Sequence, residues 1–273
     1  MKTGIGIGIG YGTFKKKAVV AYDVDALAYF ARVTAAGGSL TTPEKNAANT
    51  LTLAMKAAGV WTNVVAVYPY LGGSAASCAQ NLISANFTGT FNGAWIYSSA
   101  GAAPDGTNAY FNTTIEVWPT LPDTNSFSMS TYINTPAKTG AYQMGAIGGN
   151  GTYNLIGAHV VDATTGYYLN NTTTVTNVVD ASSVTGFLAT SRISAGEYRY
   201  YKSTTGTLIT ANSNSVAYLY PLLMGAGNGF GGTPNAYDTG RIAFGHIGSG
   251  MNDTLMVALA TAVNTFQSTL GRA

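Results

Sequence analysis

The stretch FSMSTYIN, residues 127–134, decides the fold class of this chain. It is rich in β-branched and aromatic residues and carries no helical period. The same texture occurs before it in AYFNTTIEV (109–117) and after it in AYQMGAIG (141–148). From residue 60 to residue 246, Gly, Pro, Asn or Ser interrupts such runs about every 8 to 12 residues, which is typical of a many-stranded antiparallel sandwich.

Further predicted strands continue this pattern toward the C-terminus. In EYRYYK (197–202), alternation places Tyr198 and Tyr200 on one face of a strand and Arg199 and Tyr201 on the other. The remaining predicted strands are NVVAVYP (63–69), YNLIGAHVV (153–161), GYYLN (166–170), TVTNVV (174–179), GFLATSRI (186–193), SVAYLYPLLMG (215–225) and RIAFGHIG (241–248).

Three helices flank the predicted strands, two before them and one after. The first begins at Asp23 or Asp25, either of which can cap it. The second begins with a capping box in which Thr41 is the N-cap and Glu44 lies three residues later. The third, TLMVALATAVNTFQSTL, follows Asp253 as its cap. Because each helix carries an apolar face, we expect all three to pack against the sandwich.

Composition excludes several classes of function. Only 9% of the residues are charged, against about 25% in an average soluble protein, and the net charge is +2. With no concentrated basic stripe, we predict no nucleic-acid partner. The single cysteine, Cys78, excludes a disulfide framework and a cysteine metal cluster. No apolar run approaches the length of a membrane span, and the N-terminus lacks the features of a signal peptide.

The chain offers few residues for catalysis. Among its three glutamates, Glu44 is committed to helix capping, which leaves Glu116 and Glu197 for glycosidase chemistry. The two histidines, His159 and His246, each lie inside an apolar strand, as core histidines do. We therefore predict no catalytic residue, no metal and no cofactor. A polysaccharide-cleaving enzyme that uses Glu116 or Glu197 remains an alternative.

The N-terminal stretch KTGIGIGIGYGTFKKK, residues 2–17, has glycine at every even position from Gly4 to Gly12. Strict period two excludes a dinucleotide-binding glycine fingerprint, which needs glycines at i, i+2 and i+5. In an extended chain it leaves one apolar face and one face of bare backbone. We predict an assembly arm that adds to a neighbouring subunit, with a disordered tail as the alternative. The arm residues are Ile5, Ile7, Ile9, Tyr11, Lys15, Lys16 and Lys17.

The C-terminal stretch GRIAFGHIGSGMNDTLMVALATAVNTFQSTLGR (240–272) resembles the closing segment of the laminin-G-like, concanavalin A-like jelly rolls of bacteriophage structural proteins. Three further stretches are similar to parts of that family in the same order: GAWIYSSAGAAPDGTNAYFNT (93–113), SFSMSTYINT (126–135) and EYRYYKSTTGTLI (197–209). The resemblance implies a mainly β, antiparallel jelly-roll sandwich with two N-terminal helices and one C-terminal helix. We divide the chain into the arm (1–17), a helical segment (18–59) and the jelly roll with its closing helix (60–273).

The same resemblance implies a non-enzymatic virion protein, such as a capsid decoration, head-fibre or tail-associated subunit. Such a protein is made in the host cytoplasm, resides in the virion, contacts other virion subunits and forms homo-oligomers. A carbohydrate-binding adhesin or lectin module that recognises cell-surface or mucosal glycans is the alternative, because aromatic rings stack on sugars. The candidate glycan or interface contacts are Trp95, Trp118, Tyr198 and Tyr200. The chain lacks the E-x-D-x-E strand of glycanases with this fold.

Overall fold

A computed structural model gives the architecture of the chain. It describes residue 1 and residues 21–121, 123–136, 138–148, 151–158, 165–173, 177–179, 185–213 and 220–273. The predicted arm and His159 lie outside the described residues. The arm residues concerned are Ile5, Ile7, Ile9, Tyr11, Lys15, Lys16 and Lys17. The assembly arm therefore stays a prediction.

The described residues form five helices and seventeen strands. The helices are α1 (Val24–Ala35), α2 (Thr42–Ala57), α3 (Ala75–Cys78), α4 (Val117–Thr120) and α5 (Asp253–Thr269). The strands are β1 (Val64–Tyr68), β2 (Thr90–Asn92), β3 (Trp95–Ser98), β4 (Gly101–Pro104), β5 (Tyr110–Glu116), β6 (Phe127–Ile133), β7 (Tyr142–Ile147), β8 (Tyr153–Ala158), β9 (Thr165–Thr172), β10 (Asn177–Val179), β11 (Gly186–Arg192), β12 (Glu197–Lys202), β13 (Thr205–Thr210), β14 (Pro221–Met224), β15 (Gly227–Asn228), β16 (Pro234–Asn235) and β17 (Ile242–Gly248).

The strands form two sheets whose pairs are antiparallel, apart from one parallel bridge between β15 and β7. The central sheet has the order β13-β12-β11-β6-β17-β4-β3, and β1 also pairs with β17. The outer sheet has the order β10-β9-β8-β7-β14-β5-β2, with β15 and β16 beside β7. The fold class expected from the sequence, a mainly β antiparallel sandwich of jelly-roll type, is confirmed.

The middle strands of the central sheet, β11, β6 and β17, are buried on both faces, because the outer sheet covers one face and helices α1, α2 and α5 cover the other. Every residue of β6 is buried. Its Met129 and Ile133 pack toward the outer sheet, and Tyr132 packs toward the helices. The alternation of β6 therefore divides one strand between two apolar cores.

The helix starts follow the sequence in two cases of three. Asp23 accepts a hydrogen bond from the Asp25 amide at the start of α1. The capping box of α2 is present, and the Glu44 carboxylate also accepts from the Thr41 amide at 2.8 Å. The N-cap predicted for α5, Asp253, is wrong: Asn252 has the extended backbone of an N-cap and accepts from the amide of Leu255 at 3.0 Å. The carboxylate of Asp253 instead binds side chains of β12, as described below.

His246 lies on the helix-covered face of the central sheet, fully buried between two serines of β6. Ser128 Oγ donates to the Ser249 carbonyl at 2.6 Å, so it accepts from His246 Nε2 at 3.1 Å. Ser130 Oγ, at 2.8 Å, then donates to Nδ1. This arrangement satisfies a neutral ring at both nitrogens, and burial lowers the pKa of His246 to about 3. The expectation of a core histidine fits this placement.

We predict that His246 makes the protein less stable in mild acid. Its pKa is about 6.5 in the unfolded chain and about 3 in the fold, so the unfolded state binds the proton first as pH falls. The free energy of unfolding should fall below pH 6.5 by up to about 1.4 kcal/mol per pH unit. Urea unfolding of wild type and His246→Gln between pH 7 and 4.5 measures this.

The comparison of the two proteins isolates the histidine, because the carboxyl groups titrate alike in both. Burial raises the pKa of Asp238, so its protonation stabilises the fold as pH falls, and it does so in both proteins. We expect His246→Gln to have a lower free energy of unfolding than wild type at pH 7. That free energy should also change less with pH than it does in wild type. Parallel pH profiles of the two proteins would contradict the prediction.

Candidate functional site

A cleft of about 260 Å³ opens where β11 and β12 of the central sheet meet the N-terminus of α5. It lies on the helix-covered face of the sheet, next to the first residues of α5. Its lining residues are Ser191, Ile193, Glu197, Tyr198, Arg199, Tyr201, Met251, Asn252, Asp253 and Thr254.

The wall formed by residues 250–254 is fixed to the end of β11 by hydrogen bonds between a serine side chain and the backbone. Ser191 Oγ donates to the Met251 carbonyl at 2.6 Å and accepts from the Met251 amide at 2.8 Å. A Cβ at Gly250 would lie 1.9 Å from the carbonyl oxygen of Arg192, a distance that backbone does not tolerate. Glycine at position 250 is therefore what allows α5 to start so close to the strand.

The opposite wall of the cleft is the hairpin of β11 and β12, and Arg192 holds it in place from inside the protein. Its side chain is fully buried, and the guanidinium lies 5.3 Å from the centre of the Tyr198 ring. Burial lowers the pKa of Arg192 to about 10, so the group stays charged at neutral pH. Its hydrogen-bond partners are the backbone carbonyls of Asn170, Ser194, Ala195, Glu197 and Ala211. One cation thus holds together β9, the turn between β11 and β12, and the chain that follows β13.

Polar side chains meet inside the cleft around Asp253. Its Oδ1 accepts from the hydroxyl of Tyr201 at 2.7 Å and lies 3.2 Å from Arg199 Nε. Burial is the main cause that raises the pKa of Tyr201, followed by its hydrogen bond to Asp253. Glu197 is exposed at the mouth of the cleft, and the 57% exposed side chain of Ile193 forms an apolar rim beside it. The arrangement offers carboxylate acceptors and guanidinium donors next to a small apolar surface.

The four aromatic residues predicted as glycan or interface contacts are not brought together. Tyr198 is 1% exposed and packs on Arg192. Tyr200 is half-buried against the core between the sheets, and Trp118 is half-buried in α4. Trp95 lies in β3, at the opposite edge of the central sheet, and donates to the Asn92 carbonyl at 2.9 Å. No common aromatic platform forms from these residues.

The glutamates of the enzymatic alternative lie on different sheets, Glu116 in β5 of the outer sheet and Glu197 in β12 of the central sheet. Over the described part of the chain, no group of three or more His, Cys, Asp or Glu is placed to hold a metal ion. Among those same residues, no helix is long and apolar enough to span a membrane.

Sequence reasoning missed Arg199, Asn252 and Thr254 as site residues. The signal for Arg199 was available, because alternation in EYRYYK places it on the same face as Tyr201. The link from that face to residues 252–254 could not be found from spacing, since more than fifty residues separate them in the chain.

Two solved structures resemble this fold with a TM-score of 0.51. One belongs to work showing that cell entry of botulinum neurotoxin type C depends on interaction with two ganglioside molecules; it is 9% identical and aligned over 77% of this chain and 53% of that chain. The other is a mutant of Trypanosoma rangeli sialidase with trans-sialidase activity, 9% identical and aligned over 88% of this chain and 38% of that chain. The chain thus spans about half of the first structure and less of the second.

A third structure is domain 4 of AbnA, a GH43 extracellular arabinanase from Geobacillus stearothermophilus, in complex with arabinotriose. It has a TM-score of 0.43, 15% identity, and coverage of 72% of this chain and 98% of that chain. No protein-family model matches the chain, and no curated protein matches it. The two structures with the higher score show a shared fold, and the virion role implied by the sequence resemblance stays a prediction.

We predict that Arg192→Met destabilises the fold strongly. The substitution removes the hydrogen bonds of a fully buried guanidinium to backbone carbonyls, those of Asn170 and Ala211 among them, at a cost of about 3 kcal/mol or more in the free energy of unfolding. Arg199→Met is the matched control, because the partly exposed Arg199 loses only an ion pair worth at most about 1 kcal/mol. Urea unfolding of both variants measures the difference, and equal losses would show that Arg192 does not hold the hairpin.

Proposed function

We propose that the protein is a non-enzymatic carbohydrate-binding β-sandwich module and that the cleft between β11, β12 and α5 holds the sugar. The observation that carries the proposal is the meeting of Arg199 and Asp253 with the exposed Glu197 beside an apolar rim. Planar charged groups with several donors or acceptors suit adjacent hydroxyls on a sugar ring. The apolar side chain of Ile193 suits the C–H face of the same ring.

The dimensions of the cleft support a small ligand. Its volume of about 260 Å³ lies near the lower end of small-molecule sites, which begins at about 300 Å³. Its walls are preformed, because Ser191 fixes the wall on the α5 side and Arg192 fixes the hairpin. A site that needs little reorganisation loses less free energy on binding.

The comparisons agree with this proposal in kind. One of the two structures with a TM-score of 0.51 comes from a toxin whose entry depends on gangliosides, and the other is a sialidase. At 9% identity they share only the fold with this chain. The ligand of this protein therefore has to be argued from its own cleft.

The proposed setting is a virion, where the phage structural proteins that the sequence resembles reside. A glycan-binding module on a particle needs no catalytic residue, which suits the placement of Glu116 and Glu197 on separate sheets. The N-terminal arm would attach the module to other subunits. Labelling of this chain in purified particles tests the setting separately from the ligand.

The binding test uses the full chain on a glycan array, with affinities of the hits measured by calorimetry. We expect Arg199→Ala to weaken binding at least tenfold, because donors to the sugar hydroxyls are lost. Trp95→Phe is the matched control at the far edge of the central sheet and should bind like wild type.

Three outcomes would contradict the proposal. An array without hits at high protein concentration rejects carbohydrate binding. Loss of binding in Trp95→Phe with normal binding in Arg199→Ala places the site at the predicted tryptophan instead of the cleft. Release of reducing ends from a bound polysaccharide, abolished by Glu116→Gln or Glu197→Gln, shows an enzyme.

A further inference from the structure

The cleft brings together charged groups of both signs. The lining carboxylates are those of Glu197 and Asp253, and the lining guanidinium is that of Arg199. Arg192 lies directly behind the wall, since it donates to the Glu197 carbonyl at 3.2 Å. The three lining groups carry a formal charge of −1, and Arg192 behind the wall brings the sum to zero, so an anionic ligand gains no net attraction from them.

Neither guanidinium is an unpaired cation for an anionic ligand. Arg192 spends its donors on buried backbone carbonyls and does not reach the cleft. Arg199 is held with its Nε 3.2 Å from Asp253. This contact leaves protons on the two terminal nitrogens of Arg199, but an anionic group bound there would lie close to the Asp253 carboxylate and be repelled by it.

The N-terminus of α5 does not supply an anion site either. The first free amides of a helix attract negative charge. Here the Asn252 side chain already accepts from the Leu255 amide at 3.0 Å. The carboxylate of Asp253 lies in the first turn and adds the negative charge that the helix end favours. The chain itself thus already places one oxygen acceptor and one carboxylate at this helix end.

Glu197 is an exposed charge of the cleft lining. It begins β12, lies at the mouth of the cleft, and is exposed. Within the described part of the chain, its carboxylate makes no ion pair. A second carboxylate brought beside it meets like-charge repulsion, which costs most where water is partly excluded.

We propose that the cleft selects uncharged sugars and rejects acidic ones such as sialic or uronic acids, with Glu197 as the residue that determines this specificity. The inference rests on the proposed carbohydrate function and adds the class of ligand. The carboxylates of Glu197 and Asp253 accept hydrogen bonds from sugar hydroxyls, and the paired Arg199 donates its remaining protons to ring or hydroxyl oxygens.

The test uses an array that carries oligosaccharides in matched pairs, each with and without a terminal sialic or uronic acid. We expect binding to the neutral member of a pair to be at least tenfold tighter. Glu197→Gln removes the repelling charge while keeping the size of the side chain, so it should reduce the ratio of neutral to acidic binding to about threefold or less. Glu116→Gln, on the outer sheet, is the matched control and should keep the wild-type preference.

The outcomes separate the two proposals. If the wild type binds acidic members as well as neutral ones, the specificity inference is wrong and the carbohydrate function stands. If Glu197→Gln keeps the full preference, Glu197 is not the determinant. If no pair is bound by any of the proteins, the carbohydrate function itself is wrong, and the specificity inference falls with it.

Discussion

Burial of the middle strands of the central sheet on both faces is the constraint on which the rest of the structure depends. Strand β6 is buried along its whole length, and so is its neighbour β17. A strand in this position cannot send its polar side chains to water, so each of them needs a partner inside the protein. His246 meets this need between Ser128 and Ser130, with one proton donated and one accepted at the ring.

The same constraint explains how a chain with so few charges uses its arginines. Three of them bond mainly to backbone carbonyls of irregular segments. Arg32 donates to the carbonyls of Asn81 and Leu82, and Arg192 holds the hairpin of β11 and β12. Arg272 joins the end of α5 to the carbonyls of Ser99 at 2.7 Å and Tyr70 at 3.0 Å. Because Ser191 fixes the start of α5, the helix is tied to the sheet at both ends.

This fixation gives the cleft preformed walls. Its two walls come from segments far apart in the chain, yet both are held by buried hydrogen bonds. The polar groups inside it are ordered before any ligand arrives, since Tyr201 and Arg199 both contact Asp253. The cleft presents charged and hydroxyl groups with an apolar rim, and the tryptophans expected to stack on a sugar lie elsewhere.

The sequence by itself determined the fold class, most strands and the capping of α1 and α2, because alternation and capping act over a few residues. It missed β4, whose residues GAAP lack strand formers; pairing with β3 and β17 holds them extended. The sequence pattern assigned Asp253 to capping. In the structure the Asp253 carboxylate contacts Arg199 and Tyr201 of β12, and Asn252 caps α5. Only the tertiary structure decided the cleft, because its walls meet through long-range burial that no local spacing encodes.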